Sequence, residues 1–442
     1  LYRRSFSPKY DELNASEKLS SLSNRNAWNF NWVFTNTLTY NKTFGDHTIN
    51  ALLGMESLRN RYEYFTASRD GFPSDDPNFR FLDAGDVGTQ KNSGAATEYS
   101  MVSYFGKLDY NYHDRYLVAF TLRRDGSSRL GNNKWGNFPA ASVGWRISNE
   151  PFFDVEAISN LKVRVGWGQN GNSDVPSYAT IDSYKSNSTN SNYPIDGNQS
   201  GVDLGLVQTR NGNVNLKWET TITRDFGIDY GFFNGRISGT LDFYWNTTKD
   251  LLMQTLIPSN TGYSYQFQNF GKTSNKGVEL ALNAVIVDKK KFGLNFNFNV
   301  SYNKNKIDEL NLENPWQSSN WSGSTISKYE DFRVEQGGRL GELWGYKMNG
   351  YYTVYDPATG TGDLVLNAKG KWELADGVKD KSKDIFGGTY YPGGPKVQCD
   401  ENGNPIKQRL GNTVPTTTGG FGFDGHVGNF DFNVFFNYSL GN

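Results

Sequence analysis

A single cysteine, Cys399, stands in 442 residues, which excludes an internal disulfide and leaves no thiolate cluster for a metal. No run approaches the 18 or more apolar residues that a spanning helix needs, and the mean hydropathy is polar. That excludes a helical membrane protein and leaves a β-barrel open, because a barrel strand alternates an apolar with a polar face and averages out as polar. Neither charge sign dominates: 45 basic residues face 46 acidic ones, so nucleic acid is not expected as a partner. Initiator Met and apolar leader are both lacking at Leu1, so the chain reads as an internal portion of a longer precursor. What is present in quantity is aromatic residues, at 15%, and 48 glycines, a composition of strands and turns rather than helices.

Period-two alternation recurs along the whole chain in segments long enough for a tilted strand to cross a bilayer. In residues 292–303 one face carries Phe292, Leu294, Phe296, Phe298, Val300 and Tyr302, and the other carries Gly293, four residues of Asn and Ser301. A helix would mix those two sets. The same sorting places Trp28, Phe30, Trp32 and Phe34 opposite Asn29, Asn31 and Thr35. Further on, Tyr116, Val118, Phe120 and Leu122 oppose Arg115, Thr121 and Arg123, and Phe430, Phe432, Val434 and Phe436 oppose Asp431, Asn433 and Asn437. Arg224 is the exception, in register with Ile222, Phe226 and Ile228, where an Arg at mid-bilayer would cost about 2–4 kcal/mol. A place at headgroup level or a bulge would relieve it.

Connections alternate in length, the second barrel signature. Short turns are expected near residues 42–46, 113–114, 232–235, 288–291 and 428–429, with a longer one at 149–160. Long polar connections, read as extracellular loops, cover 60–97, 125–137, 170–215, 251–273 and 304–416, and wall strands occupy 27–66, 98–170, 216–248, 273–304 and 416–440. This makes about twelve wall strands, an all-β transmembrane antiparallel barrel wall within one domain. Residues 344–352, inside the last loop, read as strand-like and able to form a hairpin above the membrane.

Three apparent motifs carry little chemistry. Residues 166–171 spell GWGQNG, yet the dinucleotide fingerprint works only with a following helix N-terminus, and here Asn172 to Pro176 continue as loop. Asp400, Asn402 and Asn404 have the spacing of calcium ligands, but Pro405 replaces the turn glycine and no later acid follows, so a polar turn is expected and no metal. His47, His113 and His426 sit in or beside short turns, each without a second ligand at metal spacing. No nucleophile motif or paired acids stand out, so neither an enzyme nor a cofactor is expected.

Four segments resemble the SusC/RagA-like branch of TonB-dependent outer-membrane transporters. They are residues 99–150 (opening YSMVSYFGKLDYNYHDRYLVAFTLRRDGSSRL), 158–171 (ISNLKVRVGWGQNG), 214–230 (VNLKWETTITRDFGIDY) and 419–442 (GGFGFDGHVGNFDFNVFFNYSLGN). Their order and spacing agree with the family together, whereas any one alone is weak. The resemblance implies a barrel of about 22 strands, the size class with a plugged lumen, with the plug absent from this chain and upstream of Leu1, and closing strands beyond Asn442. It implies active import of an oligosaccharide, peptide or similar large nutrient. The implied partners are a SusD-like surface lipoprotein as lid, TonB–ExbB–ExbD through the missing N-terminal region, the lipid and LPS of the Gram-negative outer membrane, and a homodimer of the SusCD pair.

Aromatic residues in the outer loops are the candidates for ligand contact: Trp135, Tyr193, Tyr263, Tyr265, Trp316, Trp321 and Trp344 lie in polar surroundings, where an exposed ring can stack on a sugar face or a peptide side chain. Packing of loop against loop competes with that reading for each of them. Two other functions compete with import: a docking barrel within a larger surface complex, and a soluble carbohydrate-binding β-protein whose apolar faces pack against each other.

Overall fold

The computed structural model describes residues 1–8, 19–186, 192–193, 203–263, 265–310, 316–318 and 331–442. Among the described residues thirteen strands form one sheet in chain order, the first and last of them with a single neighbour. They are β1 (Tyr2–Ser7), β2 (Ser21–Phe44), β3 (His47–Asp70), β4 (Lys91–Tyr112), β5 (Tyr116–Ser127), β6 (Trp135–Arg146), β7 (Ile158–Asn172), β8 (Glu219–Phe232), β9 (Ile237–Lys249), β10 (Lys272–Lys289), β11 (Phe292–Glu309), β12 (Thr417–Val427) and β13 (Phe430–Leu440). The strand beyond the expected dozen is β1, which pairs with the start of β2 from Tyr2↔Asn26 to Ser7↔Ser21. Residues 166–171 lie inside β7, so the glycine-rich stretch opens no helix.

Contacts divide the chain into two compact units, one of Leu1–Phe153, Val163–Arg224 and Thr248–Phe270, the other of Asp154–Lys162, Asp225–Thr247 and Gly271–Asn442. In the first unit β2 to β6 form continuous antiparallel ladders. β5 shows the alternation most plainly: Tyr116, Val118, Phe120 and Leu122 are all exposed, while the residues between them are half-buried. A water-soluble sheet would do the reverse and cover its apolar side chains. The turns at the end of these ladders are tight. Between β4 and β5, His113 and Asp114 both adopt positive φ (57° and 54°), the conformation of a type I′ hairpin turn, and the Asn111 side chain accepts from the Asp114 N–H. Rings gather there: His47 stacks on Phe44 at 5.2 Å, lies 4.8 Å from Tyr112, and shares a 2.7 Å hydrogen bond with the Tyr110 hydroxyl. Such a belt suits a membrane interface, where a ring is apolar on its body and polar at its tip.

Strands β2 and β3 run for 24 residues each, about 80 Å at the usual rise, where a bilayer needs only about ten residues. The expected break at 60–97 is therefore narrower: β3 continues to Asp70 and β4 starts at Lys91, with three short 3-10 turns between. Hydrophobic alternation marks only the portion of a strand that meets lipid. Past Leu58 the ladder carries Arg59, Arg61 and Glu63, salt-bridged on the surface and invisible to an apolar periodicity.

In the second unit β10 to β13 form antiparallel ladders. Phe296 lies opposite Phe423 with rings 5.0 Å apart, and Phe421 stacks on Phe436 at 5.0 Å. On the other face the Asn295 and Asn297 amides each donate to one oxygen of Asp424, at 2.8 and 2.7 Å. One sheet face thus carries the apolar side chains, exposed on β13 and half-buried along most of β11, and the other is knit by polar side chains.

Candidate ligand-binding surface

Buried apolar side chains of the first unit gather where the long connections leave the strands. Leu130, Phe138, Val175, Ala179, Leu216 and Trp218 form a small core, with Met101, Leu252 and Phe267 packed against it. Phe138 and Trp218 meet edge to face at 5.2 Å, and the Trp218 indole N–H donates to the Lys134 carbonyl at 2.9 Å. Two connecting stretches are laced together over this core. The Asn213 amide donates to the Phe267 carbonyl (2.9 Å), the Gln266 amide to the Gly212 carbonyl (3.0 Å), and the Lys217 N–H to the Asn269 side chain (2.9 Å). Gly212 is required here, because a Cβ would sit 2.4 Å from the Ile181 backbone. The Gly212 N–H donates in turn to Asp182.

On this scaffold the hairpin of Leu252–Leu256 and Tyr265–Asn269 carries two of the expected aromatics. Tyr265 is exposed. The Tyr263 hydroxyl is pushed above its ordinary pKa by burial, and then by the nearby Asp182 carboxylate and Tyr184. Sequence reasoning missed Tyr184, 59% exposed, and Tyr178, which is exposed at a positive φ of 66°. A non-glycine residue pays a conformational cost there and persists only because the surrounding structure imposes it. Neither tyrosine could be found by periodicity, since 170–215 has none; the usable signal was ring-bearing residues flanking Asp182 in an otherwise Ser- and Asn-rich stretch.

The other expected aromatics do not join this group. Trp135 is the first residue of β6 rather than a loop residue; it pairs with Gly126 and stands on the apolar face, stacked by Tyr104 at 6.3 Å and under the Arg124 guanidinium at 5.1 Å. That is the setting of an interfacial anchor. Trp344 lies in the strand Glu342–Tyr346, half-buried, with the Arg333 guanidinium 4.1 Å from its ring centre, so its ring packs within a sheet. Tyr193 pairs through its backbone with Asp203, and Trp316 with Val334; their side chains, and Trp321 entirely, lie outside the described residues.

The connection between β11 and β12, expected to be one polar loop, holds a folded module in the second unit. Glu342–Tyr346 pairs with Lys407–Asn412 on one side and Phe332–Val334 on the other. Residues 344–352 do not fold back as a hairpin: the following strand, Met348–Tyr351, pairs with Pro395–Val397. Tyr352, Leu364, Ala375, Ser382 and Val397 are buried. At the centre the Tyr352 hydroxyl donates to Asp380 at 2.6 Å, and so does the Ser382 N–H at 2.7 Å. Burial, and then this bond to Asp380, push the Tyr352 phenol far above its usual range. Nearby, burial alone would raise the Asp363 carboxyl, but hydrogen bonds from Lys396 (2.6 Å) and Thr353 outweigh it and hold Asp363 below the usual carboxylate range. Cys399 is half-buried, its Sγ 3.7 Å from the Ser382 hydroxyl.

The Asp400 turn uses its carboxylate internally. One oxygen accepts the N–H groups of Asn402 and Asn404, and the other accepts the Asn404 amide. The Asn404 side-chain bond comes first among the causes that hold Asp400 below its ordinary pKa. Among the described residues no group of three or more His, Cys, Asp or Glu is placed to hold a metal ion.

Comparison with known proteins agrees with this geometry. The family model of TonB dependent receptor-like β-barrels matches residues 2–440. TonB-dependent receptor P3 of Formosa agariphila is 32% identical over 416 residues, 93% of this chain and 39% of the relative. SusC of Bacteroides thetaiotaomicron is 36% identical over 278 residues, 61% of this chain and 27% of that protein. The chain thus spans about two fifths or less of the length of these relatives. The RagAB peptide transporter structure superposes with a TM-score of 0.76 at 25% identity, covering 100% of this chain and 44% of that one. Thirteen strands paired in chain order, and a family model that matches residues 2–440, make this chain a member of the TonB-dependent receptor β-barrel family, in its SusC/RagA-like branch.

Proposed function

We propose that this chain forms the wall and outer loops of an outer-membrane importer that takes up an oligosaccharide or peptide with energy from TonB and with a SusD-like lipoprotein closing over the loops. The long connections would then lie on the extracellular side, above lipid contacted by the apolar strand faces. The observation that carries this reading is the pair of Tyr184 and Tyr263 beside Asp182, held on a hydrogen-bonded scaffold in the long connections. Rings preorganised in this way bind without first being ordered. The oligosaccharide comes from the family resemblance alone, and the peptide has the further support that the RagAB structure is that of a peptide transporter.

The test uses the full-length protein in its own membrane. A strain carrying Tyr184→Ala with Tyr263→Ala should lose at least about tenfold of its uptake of the cognate oligosaccharide or peptide, the loss expected from two stacking contacts. Heat-resistant migration of the barrel should be unchanged, and a SusD-like protein should copurify. Undiminished uptake by the double variant would remove these tyrosines from the cargo path, and growth of a deletion strain equal to wild type on every glycan and peptide tried would remove import itself.

A further inference from the structure

The apolar face of the first unit is interrupted by a notch. Across β3, β4 and β5 the middle row is Leu53, Gly106 and Leu122, and Gly106 leaves the centre of that row without a side chain. The row toward the short turns is Ala51, Leu108 and Phe120; the row toward the long connections is Met55, Tyr104 and Arg124. All of these but Met55 line an open groove of about 630 Å³; its lining is mostly apolar, with charge at Lys107, whose ammonium pairs with Asp109, and at one end.

That end is Arg124. Its neighbour Arg123 points to the opposite face and is committed to Asp125 at 2.8 Å and to Glu56 at 3.5 Å. Arg124 is exposed, and among the described residues no carboxylate pairs with it; its contact is the face of Trp135, which Tyr104 stacks in turn. An unpaired guanidinium on an otherwise apolar strip is costly within hydrocarbon and favourable at the depth where anionic headgroups lie. From Tyr116 at the short-turn end, Arg124 is eight residues along β5, close to the length of strand that crosses the apolar layer. Trp135 and Tyr104, amphipathic rings at the same level, mark that depth independently.

We propose that this groove binds one phosphate-bearing glycolipid of the outer leaflet, lipid A, with an acyl chain lying in the notch at Gly106 and a phosphate paired with Arg124. The chemistry is complementary at both ends: methylene groups gain contact in the notch beyond what a flat wall offers, and guanidinium matches phosphate in a fork geometry that an ammonium lacks. The site goes beyond cargo import and rests on two parts of that reading, the apolar face meeting lipid and the long connections lying on the extracellular side. It predicts a bound lipid whether or not the loops carry nutrient.

Full-length protein extracted from the outer membrane in mild detergent, and shown to migrate as a heat-modifiable barrel, should retain one lipid A in native mass spectrometry. Arg124→Gln should lower that retention about tenfold, the size of one charge-assisted contact. Gly106→Leu should lower it similarly by filling the notch; an added Cβ is tight only against the flexible end of Leu53, at 3.2 Å, with the Leu52 carbonyl in ordinary contact at 3.7 Å. Val143→Leu, on the same apolar face of β6 and outside the groove, should retain lipid like wild type. Wild-type protein offered dephosphorylated lipid A in nanodiscs should hold it as weakly as the Arg124 variant holds the phosphorylated form. Equal retention by Arg124→Gln and Gly106→Leu would overturn the site, and phosphatidylglycerol held as tightly as lipid A would overturn the glycolipid assignment. Loss of uptake with lipid retention intact would be a failure of the loops, separate from this site.

Discussion

The wall and its long connections hold together by different means. Large buried apolar side chains, among them Leu130, Leu216, Ile307, Tyr352, Leu364 and Val397, lie in the connections or at the strand ends that meet them. Midway along the strands, Phe120, Leu122, Phe34 and Val434 are exposed and the backbone ladder is continuous. The connections are therefore ordinary water-soluble structure, stabilised by burial at roughly 25 cal/mol per Å². The wall needs no second protein layer, because a bilayer satisfies its apolar face and the ladder satisfies its backbone. A side chain's contribution should depend on which of the two environments it occupies.

The largest predicted effect is in the connections. Leu364→Ala should destabilise the module at 340–412 by about 2–5 kcal/mol, and Leu216→Ala should loosen the first unit's connections by a similar amount. Limited proteolysis should cut those segments while the barrel keeps its heat-resistant migration. Smaller is Tyr352→Phe, which leaves one side of the buried Asp380 carboxylate without its donor and should cost about 1–3 kcal/mol, read as faster cleavage of the same module.

The Asp363–Lys396 pair gives a pH dependence of known sign. The Asp363 carboxyl lies below its ordinary pKa in the folded protein, so its contribution is complete above about pH 4 and is lost as pH falls through the lowered value. Protease protection of the module should be flat from pH 7 to about 4 and decline below that, and Lys396→Met should flatten the decline. The smallest effect belongs to the wall: Phe120→Ala exchanges one lipid contact for another and should change stability by less than about 1 kcal/mol. A loss as large as that of Leu364→Ala would mean that Phe120 is covered by protein and would collapse the distinction between the two regions.

Legibility in the sequence follows the same division. The alternation of Phe292 to Tyr302 was readable because one face of β11 is apolar and the other carries amides, and strand periodicity is two. β1 was not readable, since Tyr2–Ser7 has Arg3 and Arg4 side by side and no greasy face. The outer halves of β2 and β3 were hidden for the same reason. The module inside 304–416 escaped notice because its strands are three to six residues long and its core is assembled from Tyr352, Leu364 and Val397, distant in sequence. Among the ligand candidates, Tyr263 and Tyr265 were placed on the ordered scaffold. Trp135 was read as a loop residue because 125–137 is a polar stretch, although its pairing puts it on the strand's apolar face. Arg124 was overlooked beside Arg224, although it shares the register of Phe120 and Leu122, one residue from the polar-facing Arg123.

The most direct measurement is a cysteine scan along β5 in a Cys399→Ser background, one nitroxide label at each position from 117 to 123, in the full-length protein reconstituted in bilayers. Labels at Val118, Phe120 and Leu122 should be quenched by oxygen dissolved in the hydrocarbon and shielded from a water-soluble nickel chelate. Those at Leu117, Ala119, Thr121 and Arg123 should be shielded from the hydrocarbon quencher. Equal accessibility on both sets, or nickel reaching Phe120 as readily as Thr121, would contradict a lipid-facing wall.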